Sequence, residues 1–134
     1  MDWKKSTAVI TGGASGIGET AAKILAQKGA SVVIGDINPG EIERVVGEIA
    51  AKGGRATGLV TDVTKDGDVG NLMDKAVDFG SSINIVLPCA GIIRDGLMIS
   101  PDRETVKVKS KMTTEQFRSV LEVNLLGSFI TLRE

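Results

Sequence analysis

Short β-branched runs alternate along this chain with longer stretches in which apolar residues return every three to four positions. The run TAVIT, from Thr7 to Thr11, predicts a first strand. Ile17 to Lys28 predicts a helix: Ile17, Ala21, Ile24 and Leu25 share a face, and Gly29 sits at the C-cap position. SVVIGD, from Ser31 to Asp36, predicts a second strand. Asn38 then caps a helix with Pro39 at its first position and Glu41 three residues beyond the cap. Ile42, Val45, Val46, Ile49 and Ala50 form the apolar face of that helix, and Gly53-Gly54 stops it. Ala56 to Val63 predicts a third strand and Asp66 to Phe79 a third helix, with Val69, Leu72, Met73 and Ala76 on its inner side. INIVLPCA, from Ile83 to Ala90, predicts a fourth strand.

Parallel strands need crossover connections, so this alternation implies a parallel sheet covered by helices. Short right-handed crossovers give strand order 3-2-1-4, the first half of a doubly wound α/β sheet. The segment from Gly91 to Met112 breaks the rhythm. It is a long connection crowded with Asp102, Arg103, Glu104, Lys107, Lys109 and Lys111. One reading is a solvated excursion with a small hairpin around Val106 and Val108; the other is a basic lip that meets an anionic substrate tail. Thr113 then caps a last helix with Gln116 as its box partner, and Phe117, Val120 and Leu121 mark the stripe expected to be buried.

Composition narrows the function. With 134 residues and 42% hydrophobic content, the chain can bury the core of one domain. A net charge of −1 argues against a broad nucleic-acid surface or an anionic-membrane surface. No apolar run approaches the ~18 residues of a membrane span, and the start MDWKKSTAVI does not read as a signal peptide. The single cysteine, Cys89, cannot form an internal disulfide, which suits a cytoplasmic setting. No group of Cys, His and acidic residues has metal-site spacing.

The chemistry begins at TGGASGIG, residues 11–18. Gly12, Gly16 and Gly18 lie between a predicted strand and a predicted helix. They allow a tight exit from the strand, a close approach of pyrophosphate to backbone, and close packing of helix on strand. The helix start aims unpaired N–H groups and its positive dipole end at the phosphates, and Ser15 adds a hydroxyl donor. Asp36 ends the second strand at the distance expected of the acid that accepts hydrogen bonds from ribose hydroxyls. A carboxylate there repels a 2′-phosphate, and no Arg or Lys stands in the glycine loop to offset it, so NAD(H) is favoured over NADP(H).

TGGASGIG resembles the cofactor fingerprint of the short-chain dehydrogenase/reductase family. The resemblance continues in family order. Asp62-Val63 is similar to the family's adenine-contacting pair. Ala90-Gly91 matches the end of its Asn-Asn-Ala-Gly stretch, and Asn124 in VNLLGSF matches the helix asparagine of its catalytic tetrad. The resemblance implies a Rossmann-type fold, with residues 1–134 as the amino-terminal, dinucleotide-binding part. It implies cofactor contacts from Gly12, Ser15, Gly16, Ile17 and Gly18, from Asp36 and Ile37, from Asp62 and Val63, and from Cys89, Ala90 and Gly91. It gives Asn124 a catalytic role, holding a water of the proton relay. AGIIRDGLM, residues 90–98, is similar to 3-oxoacyl-acyl-carrier-protein reductases and 3-hydroxyacyl dehydrogenases. The implied substrates are acyl thioesters or other ketones and secondary alcohols, in fatty acid metabolism, and the implied assembly is a homo-oligomer.

Two departures stand out. Pro88 and Cys89 replace the two asparagines of that stretch, and Cys89 reads as a small filler, because no histidine exists to activate it. The family's acid/base tyrosine, and the lysine four residues after it, follow the asparagine helix. This sequence contains no tyrosine and closes at Glu134 before that segment. The expectation is therefore an amino-terminal piece of an NAD(H)-dependent oxidoreductase, inactive by itself. Its fourth strand becomes an exposed edge, and Leu125, Leu126, Phe129 and Leu132 lack partners. The alternative is a non-catalytic module that binds NAD or pairs with another subunit.

Overall fold

A computed structural model describes residues 2–94, 97–102, 104–105 and 107–134. A parallel sheet is built from β1 (Thr7–Thr11), β2 (Ser31–Asp36), β3 (Arg55–Val60) and β4 (Ile85–Pro88), in the order β3-β2-β1-β4. Three crossover helices connect them: α1 (Gly16–Gln27), α2 (Pro39–Ala51) and α3 (Asp66–Gly80). A small antiparallel hairpin follows, β5 (Ile99–Pro101) with β6 (Val108–Lys111). The hairpin expected in the charged connection is present, although Val106 and Arg103 lie outside the described residues. The chain ends in α4 (Thr114–Leu121), a π-helical turn (Glu122–Leu126) and α5 (Gly127–Arg133).

β1 is buried along its whole length, because both faces of the sheet are covered. Ile10, Val32 and Ile34 face α1 and α2, where they meet Ala22, Ala26, Ile42, Val45 and Ile49. Val9 and Val33 point the other way, onto Val69, Leu72, Met73 and Ala76 of α3 and Ile130 of α5. Two-sided burial explains why these strands read as unbroken apolar runs rather than alternating ones. Asn38 caps α2 through Glu41 N–H, and Thr113 with Gln116 closes a full capping box at α4.

Several expected details are corrected. The inner face of α1 is Gly18, Ala22 and Ala26, whereas Ile17 is 83% exposed and Ile24 faces solvent. Small residues bring the helix backbone close to β1; a large side chain there would hold it away. Ala50 is exposed, so the buried stripe of α2 is narrower than expected. β3 ends at Val60, not Val63. The chain turns at Asp62, whose carboxylate accepts the Thr64 N–H and Oγ1–H. β4 is shorter than Ile83–Ala90, since its ladder exists only alongside β1, and β1 ends at Thr11.

Phe117 and Leu121 of α4 are exposed, as are Leu125, Leu126, Phe129 and Leu132 beyond it, because no described element lies against that side of the helix. Asn124, which continues the Phe117, Val120 and Leu121 stripe at helical spacing, is exposed as well. It sits in the π turn, where one extra residue per turn rotates the stripe off its α-helical period.

Pro88 fits because of where it stands. Cys89 N–H donates to Thr11 carbonyl at 2.9 Å. Successive N–H groups of a strand alternate sides, so the Pro88 nitrogen faces the outer edge of β4, where no strand pairs among the described residues. The exchange leaves a mark, however. Thr11 pairs with Pro88 across the ladder, and its buried Oγ1 has no hydrogen-bond partner among the described residues. A buried polar atom without a partner costs about 1–3 kcal/mol. Pro88→Asn places an amide opposite that hydroxyl. It is expected to stabilise the chain by about 1 kcal/mol, a rise of roughly 3 °C in thermal midpoint. A fall in midpoint in a calorimetric scan would show that the hydroxyl gains nothing from position 88.

Candidate functional site

At the carboxyl ends of the strands lies a cleft of about 700 Å³. The glycine loop, the ends of β2 and β4, and the turn after β3 converge on it. This is where an open parallel sheet reverses its strand order and where ligands of such sheets bind. Gly12, Ser15, Gly16, Ile17, Gly18, Asp36, Ile37, Asp62, Val63, Cys89, Ala90 and Gly91 all line it. Thr61, Ile92, Ile93 and Val123 line it too, and the motif reading did not include them.

The glycines do different work. Gly12 has φ +64°, and a Cβ there would lie 2.6 Å from the Ala90 backbone, so the loop and the end of β4 touch main chain to main chain. A Cβ at Gly18 would lie 2.2 Å from the Gly12 carbonyl oxygen, so α1 can begin only as close to the loop as it does because position 18 has no side chain. Gly16 has φ +51° and, among the described residues, nothing within 4 Å of its would-be Cβ. Its backbone therefore faces open space at the helix start. Ser15, the N-cap residue, makes no side-chain capping bond, so its hydroxyl and the first N–H groups of α1 remain available to an anion.

Asp36 is fixed in place by backbone donors. Ala14 N–H reaches one carboxylate oxygen at 3.1 Å and Asn38 N–H the other at 3.2 Å. Each oxygen keeps a further lone pair for another donor. Asp62 accepts from Thr64 on Oδ1, with Lys65 Nζ 3.5 Å from Oδ2. The Thr64 bonds and the nearby ammonium hold its pKa below the ordinary carboxylate value. Val63 is buried and packs against Gly127 of α5. Cys89 is half-buried, and burial pushes its thiol pKa up, so the thiol is protonated and a poor nucleophile.

Asn124 closes the far side. Its Oδ1 accepts the Ile92 N–H at 2.8 Å and its Nδ2 donates to the Ile92 carbonyl at 3.0 Å. The side chain ties the π turn to the segment after β4 and satisfies one residue's backbone completely. The structure thus brings Asn124 to the cleft's edge, bonded through loop backbone rather than buried in the core.

Sequence reading missed a charge clasp behind the glycine loop. Arg44 of α2 bonds both oxygens of Glu19 on α1 at 3.0 Å, and also bonds Glu41, Glu48 and the Ala14 carbonyl. Lys23 joins Glu19 and Glu48. The i, i+3 and i, i+4 spacing of Glu41, Arg44 and Glu48 was a visible sign of part of it; the link to Glu19 required the fold. Hydrogen bonds from Arg44, then Lys23, pull the Glu19 carboxyl down from 4.5 to about 2. A depressed carboxylate pKa stabilises the fold above the unfolded value, and that contribution is lost as pH falls from about 4.5 toward about 2. After solvent screening the contribution is about 1 kcal/mol. Arg44→Leu is therefore expected to lower stability at neutral pH by that amount and to flatten the acid limb between these values. Urea midpoints measured at pH 7 and pH 3 that shift equally in both proteins would contradict the clasp.

The family model for short chain dehydrogenases matches residues 6–134. The chain belongs to the short-chain dehydrogenase family. A cyclohexanol dehydrogenase of Acinetobacter is 32% identical over 130 residues, 97% of this chain and 48% of the relative. A 3-oxoacyl-acyl-carrier-protein reductase of Thermotoga maritima is 32% identical over 121 residues, 90% of this chain and 45% of that one. A crystal structure of a short chain dehydrogenase/reductase from Burkholderia phymatum in complex with NAD superposes with TM-score 0.82 at 25% identity, covering 99% of this chain and 43% of that one. This short-chain dehydrogenase chain thus spans about half the length of the relatives it matches. Among its described residues, no helix is long and apolar enough to cross a membrane, and no cluster of His, Cys, Asp and Glu could hold a metal ion.

Proposed function

We propose that residues 1–134 form the amino-terminal, dinucleotide-binding part of a cytoplasmic oxidoreductase that uses NAD(H) in preference to NADP(H). The observation that carries this reading is the pairing of an open helix start at Ser15-Gly16 with a carboxylate at Asp36 held by two backbone N–H groups. The helix start takes the pyrophosphate, Asp36 takes the adenosine ribose hydroxyls, and the Asp62 turn lies beside the adenine. The bound nicotinamide supplies hydride exchange. Arg44 stands near the ribose end, yet Glu19, Glu41 and Glu48 already hold its guanidinium, so it does not offer a free cation to a 2′-phosphate.

The reaction of the whole protein is the interconversion of a secondary alcohol and a ketone. The substrate is a cyclic alcohol or a 3-hydroxyacyl/3-oxoacyl thioester, the two chemistries named for relatives of equal identity. Asn124 is the proton-relay asparagine of that reaction. The chain has no tyrosine to act as acid/base, so it binds cofactor without turning it over. The exposed stripe of Leu121, Leu125, Phe129 and Leu132 is the face of homo-oligomer contact. Titration calorimetry with NAD+, alongside a hydride-transfer assay on cyclohexanol and a 3-hydroxyacyl thioester, tests the reading. Saturable one-to-one binding without turnover is expected. Turnover by this chain would overturn the assignment of inactivity, and absence of binding would overturn the site.

A further inference from the structure

Arg44 does not line the nucleotide cleft; it stands behind the glycine loop, on α2. Each nitrogen of its guanidinium is engaged. Nε donates to Glu41 at 2.7 Å, Nη1 to Glu19 at 3.0 Å and to Glu48 at 2.9 Å, and Nη2 to Glu19 at 3.0 Å and to the Ala14 carbonyl at 3.3 Å. The contacts with carboxylates tie α2 to α1, and Lys23 duplicates that tie by bonding Glu48 of α2 from α1. The contact with Ala14 has no duplicate: no other donor reaches that carbonyl among the described residues. Ala14 is buried, so water is a poor substitute for Arg44 there.

The same Ala14 donates its N–H to Asp36 Oδ2 at 3.1 Å. Ala14 is thus held at its carbonyl by Arg44 and in turn holds Asp36 through its N–H. The second donor to Asp36, Asn38 N–H, lies two residues along the chain and moves with it. Only the Ala14 bond fixes the carboxylate against the glycine loop. We propose that Arg44 is a positioning residue of the nucleotide site: by holding the Ala14 carbonyl it keeps the Ala14 N–H on Asp36, and so sets the carboxylate where it accepts from the adenosine ribose. The identity of that ligand rests on the dinucleotide reading above. A lysine keeps the charge at position 44 but offers a single nitrogen, which cannot span three carboxylates and a carbonyl as the planar fork does. Arg55 supplies a matched control. It begins β3, at the end of the sheet away from the cleft, and bonds Ser31 Oγ at 3.1 Å and the Phe79 carbonyl at 2.6 Å.

The test is a double-mutant cycle on the whole chain, read by NAD+ calorimetry: unmodified, Arg44→Lys, Asp36→Ala and the two combined. Arg44→Lys is expected to raise the NAD+ dissociation constant about fivefold or more, and Arg55→Lys less than about twofold. In the Asp36→Ala background, Arg44→Lys is expected to change the constant less than about twofold, because the group it positions is gone. Amide hydrogen exchange of the unliganded chain gives a readout without ligand. Arg44→Lys is expected to speed exchange at Ala14 about fivefold or more beyond any change at Val33, whose buried strand amide reports global opening. Additive losses in the double variant, an equal loss in Arg55→Lys, or Ala14 exchange that changes only as Val33 does would reduce Arg44 to a stability role and overturn the proposal. Absence of NAD+ binding by the unmodified chain would overturn the dinucleotide reading, and this inference with it; NAD+ binding unchanged by Arg44→Lys would overturn this inference alone.

Discussion

Gly18→Val is expected to abolish dinucleotide binding and to lower stability by about 3 kcal/mol or more. The first atom of any side chain at position 18 lies 2.2 Å from the Gly12 carbonyl oxygen and 2.9 Å from its carbon. Backbone cannot yield as a flexible side-chain tip can, so α1 must move off the loop. Overpacking of a well-filled site costs about 1–3 kcal/mol, and a clash with main chain stands at the upper end or above. The helix also carries Ala22 and Ala26 against Ile10 and Ile34, so displacement at Gly18 loosens that layer. Chemical denaturation and NAD+ calorimetry on the same preparation read the two effects. Retained stability with retained binding would show that the close approach of helix and loop is not needed.

Asp36→Ala is expected to weaken NAD+ binding by tenfold to a hundredfold. A hydrogen bond to a charged group contributes about 1.5–3 kcal/mol, and the two ribose hydroxyls would both lose their acceptor. The variant also releases Ala14 N–H, one of the two donors that position the carboxylate against the glycine loop. NADP+ binding changes much less, because the repulsion disappears while Arg44 remains held by Glu19, Glu41 and Glu48. The preference between the two nucleotides thus narrows or inverts without a new phosphate contact. Asp36→Arg, which adds a cation, extends the same shift. Unchanged preference in both variants would remove Asp36 from the ribose site.

How much of this was legible in the sequence follows from what each residue touches. The caps at Asn38 and Thr113 and the inner stripe of α3 depend on short-range pattern, the strand order follows from right-handed crossovers, and the structure has each of them. Gly12, Asp36 and Ala90 could be gathered at one cleft because the positions of strand ends in a doubly wound sheet follow from topology. The inner face of α1 could not be read from apolar size. Its contact with β1 is made by Gly18, Ala22 and Ala26, and the larger Ile17 and Ile24 point outward. The stripe of α4 has a clear helical period, but the fold places no described element against it, so Phe117 and Leu121 stay exposed. The π turn that moves Asn124 off that stripe has no sequence signature, and the Arg44–Glu19 clasp joins residues that only the packing of α1 on α2 brings together. Thr11 and Pro88 are the same lesson in the sheet: their pairing, and the orphaned hydroxyl it leaves, follow from register rather than from either residue.

The central claim is that the Ser15-Gly16 helix start and Asp36 together hold a dinucleotide without a 2′-phosphate. Competitive binding of NAD+ and NADP+ to the unmodified chain, at neutral pH and fixed ionic strength, tests it most directly. Saturable binding of both at one site, with NAD+ at least tenfold tighter, is the expected result. Equal affinities, tighter NADP+, or no saturable binding of either would contradict it.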